Sequence, residues 1–408
     1  MPERQITVFI YLPNETIAVP AGIFTHNPDS GIGSFAYGRR YLERKNALPV
    51  DPAALPLGMH PKEIIINGGL YGAFRDASPD YWGRLIISAT FNAPPEALSE
   101  MDYLMAANAT RVGNLDFRTS PDAPEPELIP PHFNQLADIM DAAARVAVGE
   151  KIEDHILQIL RQGTSMGGAR PKSTVEYKDT LWIAKFPTKG DYLNIPCIEY
   201  ATMKLAERCG IRIPEVRIMT VGGKDVFLIR RFDRKKSGES WNRIGFISAL
   251  SLMQWDESDR LRWDYPMIAD TMRRYTPIDN MHELFCRMVF NILVRNTDDH
   301  PRNHGFLFDG HSMNLSPAYD LVPSPAYPDV GIDFHLAMSI GDQGRKATLK
   351  NAVSRSARFG LSEKNALDRI EQIRATVTRW REYFTEYGVA TNEQDMLAPS
   401  FQKAEGVG

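Results

Sequence analysis

Cysteine is scarce in this 408-residue chain: Cys197, Cys209 and Cys286 are far apart and form no C-x-x-C pair. That excludes a disulfide framework and a cysteine-built redox or zinc site, and it fits a reducing compartment. No run of about 20 apolar residues occurs, so no membrane-spanning helix is expected. The first residues, Met-Pro-Glu-Arg-Gln, lack the pattern of a signal peptide, and a cytoplasmic protein without membrane association is the expectation. Neither sign of charge dominates: 47 Lys and Arg stand against 51 Asp and Glu, which argues against a surface made for direct nucleic-acid binding. Internal repeats are absent. So are the phosphate-loop patterns G-x-x-x-x-G-K-[ST] and G-x-G-x-x-G.

What is present suffices for a large core: 43% of the residues are hydrophobic and 24% charged, and a chain of this length accommodates two or three domains. β-Branched and aromatic runs at 6–12 and 16–25, parted by Pro13-Asn14-Glu15, predict a hairpin opening a β-rich module over 1–120. Helices are predicted around 81–87 and 101–108. The acidic, proline-rich stretch 121–131 predicts a stiff surface connection, within a linker and helix at 121–150 that leads to a core over 151–400. Helical periodicity resumes at 133–148 and 152–160. From Arg243 onward the pattern is mostly helical: 246–253, 263–274, 281–294, and one long helix from 361 to about 384 with Leu367, Ile370, Ile373, Val377 and Trp380 on one stripe. The fold class expected is α+β.

The densest chemistry falls in 288–323. An apolar run from Met288 to Val294 stops at Asn296-Thr-Asp-Asp-His-Pro, so a buried segment delivers carboxylate, amide and imidazole groups to a loop. Asp298 and Asn303 stand in the order Asp-x-x-x-x-Asn, and Asp320 follows in Ala-Tyr-Asp-Leu beyond a short apolar strand, Phe306 to Phe308. This is the spacing of a protein-kinase catalytic loop and its metal-binding acid. One carboxylate orients the attacking hydroxyl, and oxygen ligands hold magnesium against the phosphates. Taken singly, Asp298, Asp299 and Asn303 are equally at home in a cap or turn; the order Asp, Asn, Asp with an apolar strand between favours phosphoryl transfer. A zinc pair of His300 and His304 is disfavoured by Pro301 between them. A metal-dependent hydrolase built on Asp298, Asp299, His300 and Asp320 is a further reading.

Upstream, Gly163-Thr-Ser-Met-Gly-Gly-Ala-Arg-Pro-Lys172 is a small-residue loop whose exposed amides suit phosphate oxygens. An extended run follows it and ends at Lys185, a cation in an apolar strand, and Glu199 lies in a helix-like stretch fourteen residues on. That repeats the kinase arrangement of a strand lysine, which holds nucleotide phosphates, and a helix glutamate. Snorkelling to water is the plainer account of Lys185. Residues 226–232 form an apolar strand where a kinase hinge would meet adenine, and the basic cluster Arg230 to Lys236 is expected to be a solvated hairpin turn.

Together these residues resemble the HipA-type serine/threonine kinases of bacterial toxin–antitoxin modules. The resemblance runs over most of the chain: Asp80-Tyr-Trp-Gly-Arg-Leu, Arg111-Val-Gly-Asn-Leu, Ser165-Met-Gly-Gly-Ala-Arg-Pro-Lys172, Ala184-Lys-Phe-Pro, Arg231-Phe-Asp-Arg234, Asn296-Thr-Asp-Asp-His-Pro-Arg-Asn303, Pro317-Ala-Tyr-Asp-Leu-Val-Pro323 and His335-Leu-Ala-Met-Ser-Ile-Gly341. It implies a β-rich N-terminal module against a kinase-like, two-lobed core with a helical C-terminal lobe. It also implies ATP and Mg²⁺ as cofactors, Asp298 as catalytic base, Asn303 and Asp320 as magnesium ligands, and Lys185 as the nucleotide-phosphate lysine. Gly167, Gly168, Ala169, Arg170, Pro171 and Lys172 would form the loop over ATP, with Arg230, Arg231, Phe232 and His300 in the nucleotide site. Ser165 matches the family's autophosphorylation serine, whose modification switches the enzyme off; a dianion there would be repelled by nucleotide. The partner implied is a HipB-like helix-turn-helix antitoxin, with DNA reached only through it. The substrate implied is a protein, some members of the family acting on aminoacyl-tRNA synthetases. The alternative is a chain that serves mainly as binding partner and co-repressor of such an antitoxin on operator DNA.

Overall fold

Alternating apolar residues near the start of the chain form strands whose inward side chains meet across a sheet. The computed structural model describes residues 3–126, 128–163, 167–325 and 333–404. The chain divides into two compact units, each discontinuous in sequence. One takes Met1–Lys189, Leu228–Asp256 and Phe306–His311; the other takes Gly190–Phe227, Glu257–Gly305 and Ser312–Gly408.

In the first unit, β1 (Arg4–Ile10), β2 (Val19–Asn27), β3 (Ile32–Tyr37), β4 (Lys62–Ile64) and β5 (Leu115–Arg118) make an antiparallel sheet in the order β4-β3-β2-β1-β5. The hairpin expected at the start is β1–β2, with Ile10 opposite Val19 and a bulge between Val8 and Phe9. Ile6, Val8, Ile10, Phe24, Phe35 and Phe117 share one buried cluster, and Phe74 meets Phe24 and Phe117 edge-on at 5.2 Å each. Each fully buried Phe contributes about 1.5–3 kcal/mol by area burial. At Gly33 a Cβ would stand 1.9 Å from the Gly69 carbonyl oxygen, so only glycine lets the two backbones approach.

The helices Tyr81–Phe91, Glu100–Ala106, Leu136–Val146 and Asp154–Gly163 follow in this unit. Ser99 and Asp102 form a reciprocal capping box that sets where the second of them begins. The hairpin of β6 (Lys172–Tyr177) and β7 (Thr180–Lys185) comes next. Residues 246–253, expected as a helix, are instead the strand Gly245–Ser248 and one helical turn, Ala249–Leu252. Gly245 explains the strand: a Cβ there would lie 2.4 Å from the Phe308 ring, so the backbone runs against that side chain.

The second unit is mainly helical, with Ile195–Arg208, Tyr265–Tyr275, Ile278–Leu293, Glu363–Val377 and Trp380–Glu386. Eleven residues of the Ile278–Leu293 helix are buried, among them Leu284, Phe285, Met288, Val289, Ile292 and Leu293, as befits a helix packed on most of its faces. The long helix expected at 361–384 is two helices broken at Thr378–Arg379, where the Thr378 hydroxyl bonds back to the Arg374 carbonyl at 2.8 Å. Its stripe is core as expected at Ile370, Ile373, Val377 and Trp380, whereas Leu367 is exposed. No helix among the described residues is long and apolar enough to cross a membrane.

Candidate active site

The acidic loop of the second unit is aimed by the helix before it. The Ile278–Leu293 helix is capped by Val294 and followed by Arg295, whose φ of 55° turns the chain away, and the Asn296 amide returns to the Asn291 carbonyl at 2.9 Å. From Asn291 a buried polar chain begins. Asn296 donates to the Asn291 side-chain oxygen at 3.1 Å, and Asn291 donates to Asp299 at 2.8 Å. The Tyr265 hydroxyl also donates to Asp299, and His304 Nε2 lies 2.9 Å from the same carboxylate. Burial alone would raise the Asp299 pKa, but the neighbouring His304 and the hydrogen bonds from His304 and Tyr265 hold it below the usual carboxylate range. Desolvation and the Asp299 charge push the Tyr265 phenol well above its ordinary value, so it stays a donor.

Asp298 and Asp299 are thereby distinguished. Asp299 is buried and saturated with partners; Asp298, next in line, is exposed. An exposed carboxylate on a loop pinned by its neighbour is available to a substrate hydroxyl. In the sequence Asp299 reads as a cap or turn residue or as one acid of a hydrolase set, not as the anchor of the loop; Asn291 and His304 lie within eight residues of it, but Tyr265 is 34 residues away.

Asn303 closes a 3-10 turn begun by Pro301, and it is buried. The Tyr319 hydroxyl donates to the Arg302 carbonyl at 2.7 Å. On the far side of Asp320, the Ser324 amide donates to the Arg295 carbonyl at 2.9 Å, and the Thr297 hydroxyl reaches Ser324 Oγ at 2.6 Å. Residues on both sides of Asp320 are therefore fastened to the loop that carries Asp298 and Asn303. Asp320 itself has φ 61°, a left-handed conformation that Asp tolerates better than most residues. An amide oxygen and a carboxylate fit a hard cation such as magnesium, which takes one or two protein ligands and completes its shell from phosphates and water. Among the described residues no three His, Cys, Asp or Glu side chains gather where they could hold a metal. His304 is engaged with Asp299, while His300 presents its ring to Trp263.

The first unit holds the other expected residues. Lys172 and Lys185 are directly paired across the β6–β7 hairpin, and both are buried. Opposed residues in an antiparallel pair share a face with Cβ atoms about 4.5–5.5 Å apart, so the two lysine side chains start from one face of the hairpin, an arrangement suited to phosphate. The loop before β6 folds on itself: Lys172 Nζ donates to the Gly167 carbonyl at 2.6 Å. Gly168 has φ 106°, and a Cβ there would lie 2.1 Å from Lys172 Nζ. Gly167 and Ala169 are exposed, Gly168 and Arg170 half-buried, Pro171 buried. Ser165 lies outside the described residues.

The basic cluster departs from expectation. It does form a hairpin, Arg234–Ser237 against Ser240–Arg243, but Arg231 and Arg234 are buried, not solvated. Both clasp Asp233, at 2.7 Å from Arg231 Nη2 and 2.8 Å from Arg234 Nη1, and Asp233 also accepts the Gly113 amide at 2.9 Å. Arg231 further donates to the Thr110 carbonyl at 2.6 Å. Its guanidinium is thus engaged by the polypeptide, and its backbone amide donates to the Leu181 carbonyl at 2.8 Å. Arg230 is exposed and Phe232 half-buried. Burial works against ionised Asp233, but the two guanidinium groups prevail and hold its pKa far below the carboxylate range.

An α+β fold with a lysine-paired hairpin and a pinned acidic loop defines a kinase-like protein. Residues 164–380 match the HipA-like C-terminal domain, and the chain belongs to the HipA family. A protein of Sinorhizobium fredii named as a candidate kinase is 25% identical over 342 residues, covering 78% of each chain. One of Haemophilus influenzae, likewise named, is 27% identical over 193 residues, and the match spans about half its length, 55%. The serine/threonine-protein kinase toxin HipA of Shewanella oneidensis is 25% identical over 208 residues, 44% of this chain and 47% of that protein. A solved structure from Shewanella oneidensis, of the toxin–antitoxin system HipA, HipB and its operator DNA, superposes with TM-score 0.68 at 16% identity, over 98% of this chain and 97% of that one. The last of these establishes the fold.

Proposed function

We propose that this chain is a serine/threonine protein kinase, the toxin of a toxin–antitoxin module, that transfers the γ-phosphoryl group of ATP to a hydroxyl of a cytoplasmic bacterial protein and to its own Ser165. The observation that carries this reading is the separation of roles at Asp298 and Asp299: one acid anchors the loop and leaves the other exposed. Asp298 orients the substrate hydroxyl and takes its proton as the oxygen attacks phosphorus; the bond to the β,γ-bridging oxygen breaks and ADP departs. Asn303 and Asp320 would hold Mg²⁺, which neutralises charge on the phosphates. Lys185 and Lys172 offset the remaining phosphate charge, and the Gly167–Lys172 backbone covers it.

The test is mass spectrometry of the purified protein after incubation with ATP and Mg²⁺. Phosphate on Ser165 in the wild type and a rate lowered about 10²- to 10⁴-fold in Asp298→Asn are expected. Equal transfer by the variant would remove Asp298 from the mechanism. The superposable HipA was solved with HipB and operator DNA, and this supports a helix-turn-helix antitoxin as partner here, with DNA contacted through it. Co-purification of the two chains with no measurable ATP turnover would leave co-repression as the main role.

A further inference from the structure

Two residues outside the kinase set grip the glycine loop. Asp80 caps the Tyr81–Phe91 helix: one carboxylate oxygen accepts the Tyr81 amide at 2.9 Å, and the other accepts the Gly168 amide at 3.1 Å. Trp82, one residue into the same helix, donates its own amide to the Gly168 carbonyl at 3.3 Å. Its indole Nε1 donates to the Lys172 carbonyl at 2.8 Å, and the ring is 1% exposed. The first turn of one helix thus takes both polar groups of the Gly168 backbone and the carbonyl of the residue that ends the loop.

This arrangement reaches the lysines as well. Lys172, whose carbonyl Trp82 holds, is the cross-strand partner of Lys185, and the Phe186 amide extends the ladder to the Pro171 carbonyl at 3.0 Å. Fixing Lys172 therefore fixes the edge of the hairpin from which both lysines project. A glycine-rich segment left to itself samples many backbone states, and a ligand that needs one of them binds more weakly by the fraction of time that state is populated.

We propose that Asp80 and Trp82 are positioning residues for nucleotide, a clamp that holds Gly167–Lys172 in its working conformation before nucleotide arrives. The proposal rests on reading the chain as an ATP-dependent kinase. Neither residue is assigned contact with the reacting atoms, so the clamp acts on capture of ATP and leaves the transfer step alone.

The experiment uses the full chain with Asp80→Ala, which removes both acceptors, and Trp82→Phe, which keeps the ring and loses only the Nε1 donor. Amide hydrogen exchange of residues 167–172 is followed by mass spectrometry without nucleotide, and KM and kcat are measured with ATP. In both variants exchange in the loop is expected to quicken about tenfold, and KM for ATP to rise about tenfold with kcat within about twofold. Unchanged exchange in both variants overturns the clamp. Faster exchange with unchanged KM overturns its role in positioning nucleotide, as does a loss confined to kcat. Should the wild type turn over no ATP, the kinase reading falls, and exchange alone then decides whether the clamp exists.

Discussion

Asp299 and His304 meet at 2.9 Å, and neither is more than 2% exposed. Around this contact the loop from Asn296 to Asn303 is built, and it separates two acids that look alike in sequence. Removing the Asp299 carboxylate by Asp299→Ala strands the buried partners and is expected to cost about 3–5 kcal/mol of stability. Asp298→Ala, at an exposed position, is expected to change stability by no more than about 0.5 kcal/mol. Urea unfolding of the two variants beside wild type measures both; equal losses would contradict the division of roles.

Asp233 carries a pH signature. Its folded pKa is depressed by Arg231 and Arg234 despite burial, while an unfolded Asp takes up its proton at about pH 4. The unfolded state therefore binds more protons in acid, and this contribution is present at neutral pH and lost as pH falls below about 4. Asp233→Asn is expected to be less stable at pH 7 by about 3–5 kcal/mol, with the gap to wild type narrowing below pH 4. Denaturation midpoints of both proteins from pH 7 to pH 3 would show a constant gap if the carboxylate were not what the two guanidinium groups hold.

Gly168→Ala meets a backbone at φ 106° that an L side chain rarely adopts, and its methyl, 2.1 Å from the present Lys172 ammonium, would displace that flexible side-chain end. The strain is of order 1–3 kcal/mol. Nucleotide affinity, read by titration with a fluorescent ATP analogue, is expected to fall about tenfold or more. Affinity equal to wild type would mean that the loop conformation is immaterial to binding.

The thiols are expected to be inert in the folded protein. Burial pushes the Cys197 and Cys209 pKa values up to about 12, helped by the charges of Asp225 and Glu393 at the first and by Cys286 at the second, and burial raises Cys286 too. Thiolate is the reactive form, so a chromogenic disulfide reagent at pH 8 should label none of the three rapidly until denaturant is added. Prompt labelling without denaturant would contradict this.

Much of this architecture is legible in the sequence because periodicity is local. The first hairpin, the Ile278–Leu293 helix and the turn at Pro301 follow from alternation, helical spacing and a proline. What escapes is set by distant neighbours. Phe246 to Met253 is a short apolar run that suits strand or helix, and the choice is made by Phe308 lying against Gly245. Arg231 and Arg234 look solvated until the carbonyls of Thr110, Arg111 and Gly113 are brought to them. A single acid among four cations, Arg-Arg-Phe-Asp-Arg-Lys, was the available hint. For the site, the order Lys185, Asp298, Asn303, Asp320 is visible in the chain, whereas Tyr265, Asn291 and His304 as supports of the loop become apparent only when helix and loop are folded together.

The first unit draws on three stretches, of which the last ends at His311. A ribosome must release most of the polypeptide before that body has all its pieces, and a fragment stopped at residue 189 would lack 228–256 and 306–311. Gene dissection or a protease nick between these stretches would thus leave an incomplete body, and the β6–β7 hairpin would be inherited or lost together with segments synthesised long after it.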